Sequence, residues 1–346
     1  MPSPIRVLVV DDSPSVCRVL VGVLRSAPDF RVVGTAASGE AAVEGVLALT
    51  PDVVTLDLEM PGIGGLGALD RIMARRPTPV LLLSGVSGAA IAATIDGLAR
   101  GAMDFVTKYT PGRDTNPTAL ARELVAKVRV AARANVTRPA RPIDPPVVIP
   151  TKSPQSATSA APTVLVVGAS TGGPAAVREM LVALPKPLTA AVLVVQHLPN
   201  RFTQSLAALL ASQTGWPVSE ACDGDRMLVG EVLVAPGGRH ARFDRGGRLR
   251  LEDGPAVYGH RPSIDVAMAS AAVAFGPRAV GVLLTGMGAD GARGLAAMRA
   301  AGGRTFAQDE ASCAVYGMPR RAVQLGAARE TDTPAGIALR FAGRRD

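Results

Sequence analysis

The stretch "VLVVGASTGGP", residues 164–174, decides how the second half of this chain is read. An apolar run stops at a knot of glycines with one serine inside it. A buried strand that runs through a Gly-rich turn into a helix can offer backbone N–H groups to an anion. The same turn can lift a serine hydroxyl to the end of a sheet as an exposed nucleophile. Gly168-Ala169-Ser170-Thr171-Gly172 has the spacing of that elbow. The glycines alone do not choose between a phosphate cradle and a nucleophile.

Upstream lies "NVTRPARPIDPPVVIPTKSPQSATSAAP", 135–162, rich in Pro, Ser, Thr and Ala. It shows neither helical nor strand period, and it buries too little apolar surface to offset its ordering entropy. It reads as an extended tether. The chain is therefore expected to hold a first domain over 1–128, a basic Pro/Ser-rich linker over 129–162 and a second domain over 163–346. A length of 346 residues suits two domains.

The formal charge of +8 raises a nucleic-acid hypothesis, but its location answers it. Residues 129–161 hold Arg129, Arg133, Arg138, Arg141 and Lys152 against Asp144. The tail from Ile337 holds Arg340, Arg344 and Arg345 against Asp346. Most of the excess thus sits in the expected linker and tail, and aromatic residues are only 3% of the chain, leaving few platforms for stacking bases. No nucleic-acid partner is expected. No apolar run approaches the roughly 18 residues that cross a bilayer, and "MPSPIRVLVVDDS" lacks the layout of a signal peptide. Cys17, Cys222 and Cys313 are few, odd in number and far apart, neither a disulfide framework nor a zinc spacing. The expectation is a cytoplasmic protein without direct membrane insertion.

In the first domain "IRVLVV" (5–10), "RVVGTA" (31–36), "DVVTL" (52–56), "PVLLLS" (79–84) and "DFVTK" (104–108) read as strands, with helical patterns between them. Strands that are apolar throughout imply a parallel sheet covered on both faces. Active groups then belong at the strands' carboxyl ends. Asp11 and Asp12 follow the first strand, Asp57 closes the third, Ser84 the fourth and Lys108 the fifth. Any one carboxylate there could be an ordinary helix cap. Five such placements on one edge point to a site: clustered carboxylates for an oxygen-ligated Mg²⁺, with a hydroxyl and a lysine for phosphoryl oxygens. The constellation resembles the receiver domain of a two-component response regulator. That resemblance implies strand order 2-1-3-4-5, a flavodoxin-like fold, and a histidine kinase as phosphodonor. It makes Asp57 the phospho-acceptor, and Asp11, Asp12, Asp57 and the carbonyl of Glu59 the metal ligands. Ser84 and Lys108 would contact the phosphoryl group. Two features depart from it: Tyr109 follows the lysine where receivers usually have proline, and "GIGGL" lacks a frequent aspartate.

Ser170 as a nucleophile needs a base and an orienting acid. The chain has three histidines, His197, His240 and His260, all in the second domain. "AAVLVVQHLP", 190–199, reads as a strand ending at His197; "RAVGVLLTGMGADG", 278–291, reads as a strand, a glycine turn and Asp290. A parallel sheet brings those ends to the edge that carries Ser170. His240 lies four residues beyond its glycine turn, and His260 sits in a loop, where it is read as shaping the cleft. The chain lacks the Gly-Lys-Ser/Thr ending of a Walker loop and a suitably placed ribose acid, so the phosphate reading weakens.

"GASTGGP", "QHLP", "APGGRH", "HRPSID", "TGMGADG" and "DEASCAVYGMPR" together resemble the catalytic domain of the chemotaxis protein-glutamate methylesterases. The resemblance implies a second doubly wound, Rossmann-like parallel-sheet domain without a cofactor. Its triad would be Ser170, His197 and Asp290. Its substrates would be glutamyl methyl esters and glutamine amides on chemoreceptor cytoplasmic domains, under control of receiver phosphorylation. The N–H groups of Thr171 and Met287 are then the oxyanion donors. Arg261 and Ser263 either line the cleft or buttress its loops. Two rivals remain: the same enzyme in a chemosensory circuit that does not serve motility, and a receiver-linked regulator that acts by binding.

Overall fold

The computed structural model describes residues 3–108, 117–136 and 163–343. Tyr109 and residues 137–162, most of the expected linker, lie outside the described residues. The chain divides into two compact units, Met1–Pro142 and Ile143–Asp346.

In the first unit β1 (Ile5–Val10), β2 (Phe30–Ala36), β3 (Val53–Asp57), β4 (Val80–Ser84) and β5 (Asp104–Thr107) form one sheet in the order β2-β1-β3-β4-β5. All four pairings are parallel. Every residue of β3 and β4 is buried, as strands covered on both faces require. Helix α1 (Pro14–Arg25) begins at Ser13, whose side chain accepts from Val16 N. Helices α2 (Gly39–Leu49), α3 (Gly64–Arg75) and α4 (Gly88–Ala99) are the crossovers. Helix α5 (Pro117–Ala131) closes the unit. Its last turn packs Val128 and Ala131 into the core of the first unit.

The main sheet of the second unit has seven strands among the described residues, all paired in parallel: β6 (Thr163–Ala169), β7 (Ala190–Gln196), β8 (Val218–Glu220), β9 (Val232–Val234), β12 (Ala279–Leu283), β13 (Arg304–Gln308) and β14 (Glu330–Asp332). Their order is β14-β13-β12-β6-β7-β9-β8. An antiparallel pair, β10 (His240–Phe243) and β11 (Leu249–Glu252), stands apart. Helices α6 (Gly173–Ala183), α7 (Asn200–Thr214), α8 (Ile264–Phe275), α9 (Ala292–Ala300), α10 (Met318–Gln324) and α11 (Pro334–Phe341) complete it. From β6 the chain winds one way to β7 and later the other way to β12. The β6 edge is thus the topological switch point, where a crevice opens at the carboxyl ends. Both units are the doubly wound parallel-sheet class expected from sequence. No helix among the described residues is long and apolar enough to cross a membrane.

Candidate active site

Register places two of the catalytic candidates side by side. Ala169, the last residue of β6, pairs with Gln196, the last of β7. Ser170 and His197 are therefore the next residues on adjacent strands, and the His197 N–H donates to Ala169 O at 3.1 Å. On the other flank β12 pairs with β6, and the Ser170 N–H donates to Thr285 O at 3.0 Å. The loop after β12 carries Met287 and Asp290.

His197 Nε2 lies 2.9 Å from Asp290 Oδ2, with both side chains buried. An ionised carboxylate only accepts, so Nε2 carries the hydrogen and Nδ1 keeps a lone pair. That Nδ1 is buried and has no hydrogen-bond partner among the described residues. The Ser170 hydroxyl makes no hydrogen bond to a described residue; its backbone is held instead, the carbonyl accepting from Gly173 N and from Gln196 Nε2, both at 2.8 Å.

Asp290 collects five donors. Oδ2 also accepts from Ile264 N at 2.7 Å; Oδ1 accepts from Ser263 Oγ at 2.8 Å, Asp265 N at 3.0 Å and Gly291 N at 3.1 Å. Ile264 and Asp265 open α8, so Asp290 sits on the positive end of a helix. Burial pushes its carboxyl up. The hydrogen bond from His197, the charge of that ring and the two helix N–H groups outweigh burial and hold it below the ordinary range. Asp265 returns the favour: its Oδ1 accepts from Gly294 N, 2.6 Å away in the first turn of α9. The two aspartates cap each other's helices, which fixes α8, α9 and Asp290 as one piece.

The other expected residues fall in three groups. Ser263 is fully buried, N-caps α8 through Val266 N and donates to Asp290, so it buttresses the loop and does not line the cleft. Arg261 is exposed and donates through Nη1 to Gly254 O at 2.8 Å. His260 stacks on His197 with ring centroids 3.8 Å apart. His240 belongs to the supporting structure: its Nδ1 accepts from Ser263 N at 3.2 Å and its Nε2 donates to Pro255 O at 3.0 Å. Of the oxyanion candidates, Met287 is half-exposed and its N–H is free of backbone partners among the described residues. The Thr171 carbonyl accepts from Thr285 Oγ1 at 3.0 Å.

Sequence reading missed the polar residues behind Ser170. Gln196 holds the Ser170 carbonyl, Thr285 ties Thr171 to Val315, and Gln308 Oε1 accepts from Thr285 N at 2.8 Å. Their common signal is legible: each is a polar side chain at, or within two residues of, the carboxyl end of a parallel strand.

In the receiver unit Lys108 Nζ lies 2.6 Å from Asp57 Oδ2 and 2.8 Å from Asp11 Oδ2. Glu59 N donates to Asp57 Oδ1 at 3.2 Å, and Ser13 N to Asp11 Oδ1 at 2.9 Å. Ser84 Oγ is engaged with Thr94 Oγ1 at 2.7 Å and Gly85 O at 2.9 Å, and makes no hydrogen bond to Asp57. Asp11, Asp12 and Asp57 each offer an oxygen within 4.8 Å of the others. Burial lifts the Asp57 carboxyl above its ordinary value despite the bond from Lys108. Burial pulls the Lys108 ammonium down, but its bonds to Asp11 and Asp57 leave it above its ordinary value. One lysine thus only partly compensates three clustered carboxylates. An all-oxygen donor set of that charge fits a hard divalent cation such as Mg²⁺.

Two family models match: "CheB methylesterase" over residues 165–341 and "Response regulator receiver domain" over residues 7–115. A relative from Symbiobacterium thermophilum, named protein-glutamate methylesterase/protein-glutamine glutaminase, is 48% identical over 94% of this chain and 93% of its own length. A protein of the same name, numbered 2, from Pseudomonas aeruginosa is 43% identical over 99% of this chain and 98% of its own. The crystal structure of the Thermotoga maritima CheB methylesterase catalytic domain superposes with a TM-score of 0.51 at 34% identity. It covers 52% of this chain and 97% of that one.

Proposed function

The chain belongs to the CheB methylesterase family, with a receiver domain ahead of its catalytic domain, and from that premise we propose that it hydrolyses glutamyl methyl esters and glutamine amides on chemoreceptor cytoplasmic domains through Ser170, His197 and Asp290, under control of Asp57 phosphorylation. The observation that carries the catalytic part is the buried His197 Nε2–Asp290 Oδ2 pair, 2.9 Å apart, with Nδ1 left open one strand away from Ser170.

The chemistry follows from that tautomer. Nδ1 takes the hydroxyl proton as Ser170 Oγ attacks the ester carbonyl carbon. Asp290 stabilises the imidazolium that forms and keeps its own proton off. The tetrahedral oxyanion turns to the N–H groups of Thr171 and Met287, each such donor worth about 3 kcal/mol of barrier. Collapse breaks the bond to the methoxy oxygen, and Nδ1–H protonates it as methanol leaves; an amide releases ammonia by the same route. Water then gives a proton to Nδ1 as it attacks the acyl carbon; collapse breaks the bond to Ser170 Oγ, which takes the proton back from Nδ1, and the glutamate is freed.

In the receiver, an Asp57 oxygen attacks the phosphorus of the kinase phosphohistidine as the N–P bond breaks and the kinase imidazole leaves, and Lys108 meets the charge on the transferred phosphoryl oxygens. Asp11, Asp12, Asp57 and the Glu59 carbonyl would hold Mg²⁺, which when bound neutralises the same oxygens. Ser84 must leave Thr94 to contact them.

The test is methanol release from a methylated receptor fragment, with and without a small acyl phosphate as donor. Release should rise with the donor in the wild type and stay flat in Asp57→Asn. Receptor binding without any methanol release would favour the regulator that acts by binding.

A further inference from the structure

The chain's three histidines meet around one aspartate: His197 on Asp290 directly, His240 on Ser263, which itself donates to Asp290, and His260 against His197. The triad uses one of them, and His240 is spent on the loop. His260, read from sequence only as shaping the cleft, takes no part in the proposed chemistry. Its ring lies flat on that of His197, with centroids 3.8 Å apart and planes within 6°.

A single hydrogen bond to Asp290 fixes one point of the His197 ring. It leaves the ring free to swing about the Nε2···Oδ2 line, and that swing would re-aim Nδ1. A flat neighbour in van der Waals contact removes the freedom. Resting on the reading of His197 as the base, we infer that His260 is a positioning residue, whose ring face holds the plane of His197 so that Nδ1 keeps one direction through turnover.

The segment that presents His260 is shaped for this. Val257 N donates to His260 O at 3.0 Å and His260 N to Val257 O at 2.9 Å, closing a two-residue hairpin turn. Its central residues, Tyr258 and Gly259, have φ of +51° and +81°, the left-handed pair of a type I′ turn. Glycine takes that conformation freely. A tyrosine there is strained. Arg293 of α9 packs its guanidinium 5.9 Å from the Tyr258 ring centre. Downstream, Arg261 O accepts from Gly238 N at 2.9 Å, and Ser263 N is held by His240. The loop is thus anchored on both sides of the stacked ring.

Burial first, and then the neighbouring His197, push the His260 ring down to about 4. It is therefore uncharged near neutral pH, and it offers the imidazolium of His197 a neutral face. It does not compete for the proton.

The experiment compares His260→Ala, His260→Phe and His197→Gln in the full chain, reading kcat and KM for methanol release from the methylated receptor fragment. Loss of the stacked ring displaces the base, so His260→Ala should lower kcat about 10- to 100-fold, with KM unchanged within about twofold. Phe restores a flat ring without nitrogen and should recover most of kcat. If His260→Ala does not fold, His260→Leu, which fills the space without a flat face, takes its place. Wild-type kcat in the Ala or Leu variant overturns the inference. So does a Phe variant as impaired as Ala, which would assign the work to ring nitrogens, or a raised KM with normal kcat, which would make His260 a substrate contact. His197→Gln separates the two readings: full activity there overturns the base itself, whatever His260 does.

Discussion

Replacing Gly286 with alanine places one methyl group where the molecule has no room. A Cβ built there lies 2.6 Å from Ser170 Cβ, 2.7 Å from Met318 Sδ and 3.0 Å from Met318 Cε. Non-bonded carbons rest about 3.5–4.0 Å apart, so something must retreat by roughly 1 Å. The thioether of Met318 can rotate aside. Ser170 cannot do so cheaply, because its N–H is on Thr285 O and its carbonyl holds Gly173 N and Gln196 Nε2. Gly286 is pinned too, donating to Val315 O and accepting from Gly317 N and Met318 N. Such overpacking costs about 1–3 kcal/mol, which a domain of ordinary stability survives. A nucleophile displaced by about 1 Å loses about 100-fold in rate. Gly286→Ala should therefore stay folded, with a lower urea midpoint, and show kcat/KM for methanol release about 100-fold down. A folded variant with kcat/KM within about threefold of wild type would refute the claim that Ser170 is held against this turn.

Asp290→Asn presents an amide NH₂ to a site filled with donors and favours the wrong tautomer of His197. Activity should fall by about 10⁴, with a stability loss visible in urea unfolding because one of the N–H groups of Ile264 and Asp265 at the start of α8 loses its acceptor. Gly22→Ala, mid-helix in α1 where a Cβ meets nothing within 4 Å, should raise receiver stability by about 0.5–1 kcal/mol in the same assay. The lowered value of His260 sets a pH dependence. The unfolded chain takes this proton as pH falls through the ordinary histidine value and the folded chain takes it only near 4. Its contribution to stability is therefore full above about 6.5 and is lost as pH falls from there towards 4. Urea midpoints across that window should fall less steeply in His260→Phe than in wild type.

What was legible in the sequence follows from one physical fact. Parallel strands covered on both faces are mostly apolar, so the polar side chains at and just past their carboxyl ends mark the active edge. That rule reached Asp11, Asp57, Ser84 and Lys108 in one unit, and Ser170 and His197 in the other. It applied equally to Gln196, Thr285 and Gln308, which were passed over because an amide or hydroxyl has no chemistry that demands a partner. The crossed caps of Asp265 and Asp290 were beyond reach for a different reason. They join residues 25 apart through the packing of two helices, and no local pattern encodes that. The stack of His260 on His197 depends on a turn with a left-handed tyrosine, a conformation that sequence preference argues against and tertiary packing imposes. Ser263 illustrates the converse. Its sequence position allowed a lining or a buttressing role, and full burial together with its bond to Asp290 decides for the second.

The central claim is that Ser170 is the nucleophile and His197 Nδ1 its base. The most direct measurement is peptide mass mapping after treatment of the full chain with a serine-reactive fluorophosphonate, run on the wild type, Ser170→Ala and His197→Ala. The account predicts one adduct, on the peptide carrying Ser170. It should be absent in Ser170→Ala and form at least about 100-fold more slowly in His197→Ala. An adduct on another residue in the wild type, or a Ser170→Ala variant that still releases methanol at the wild-type rate, would contradict it.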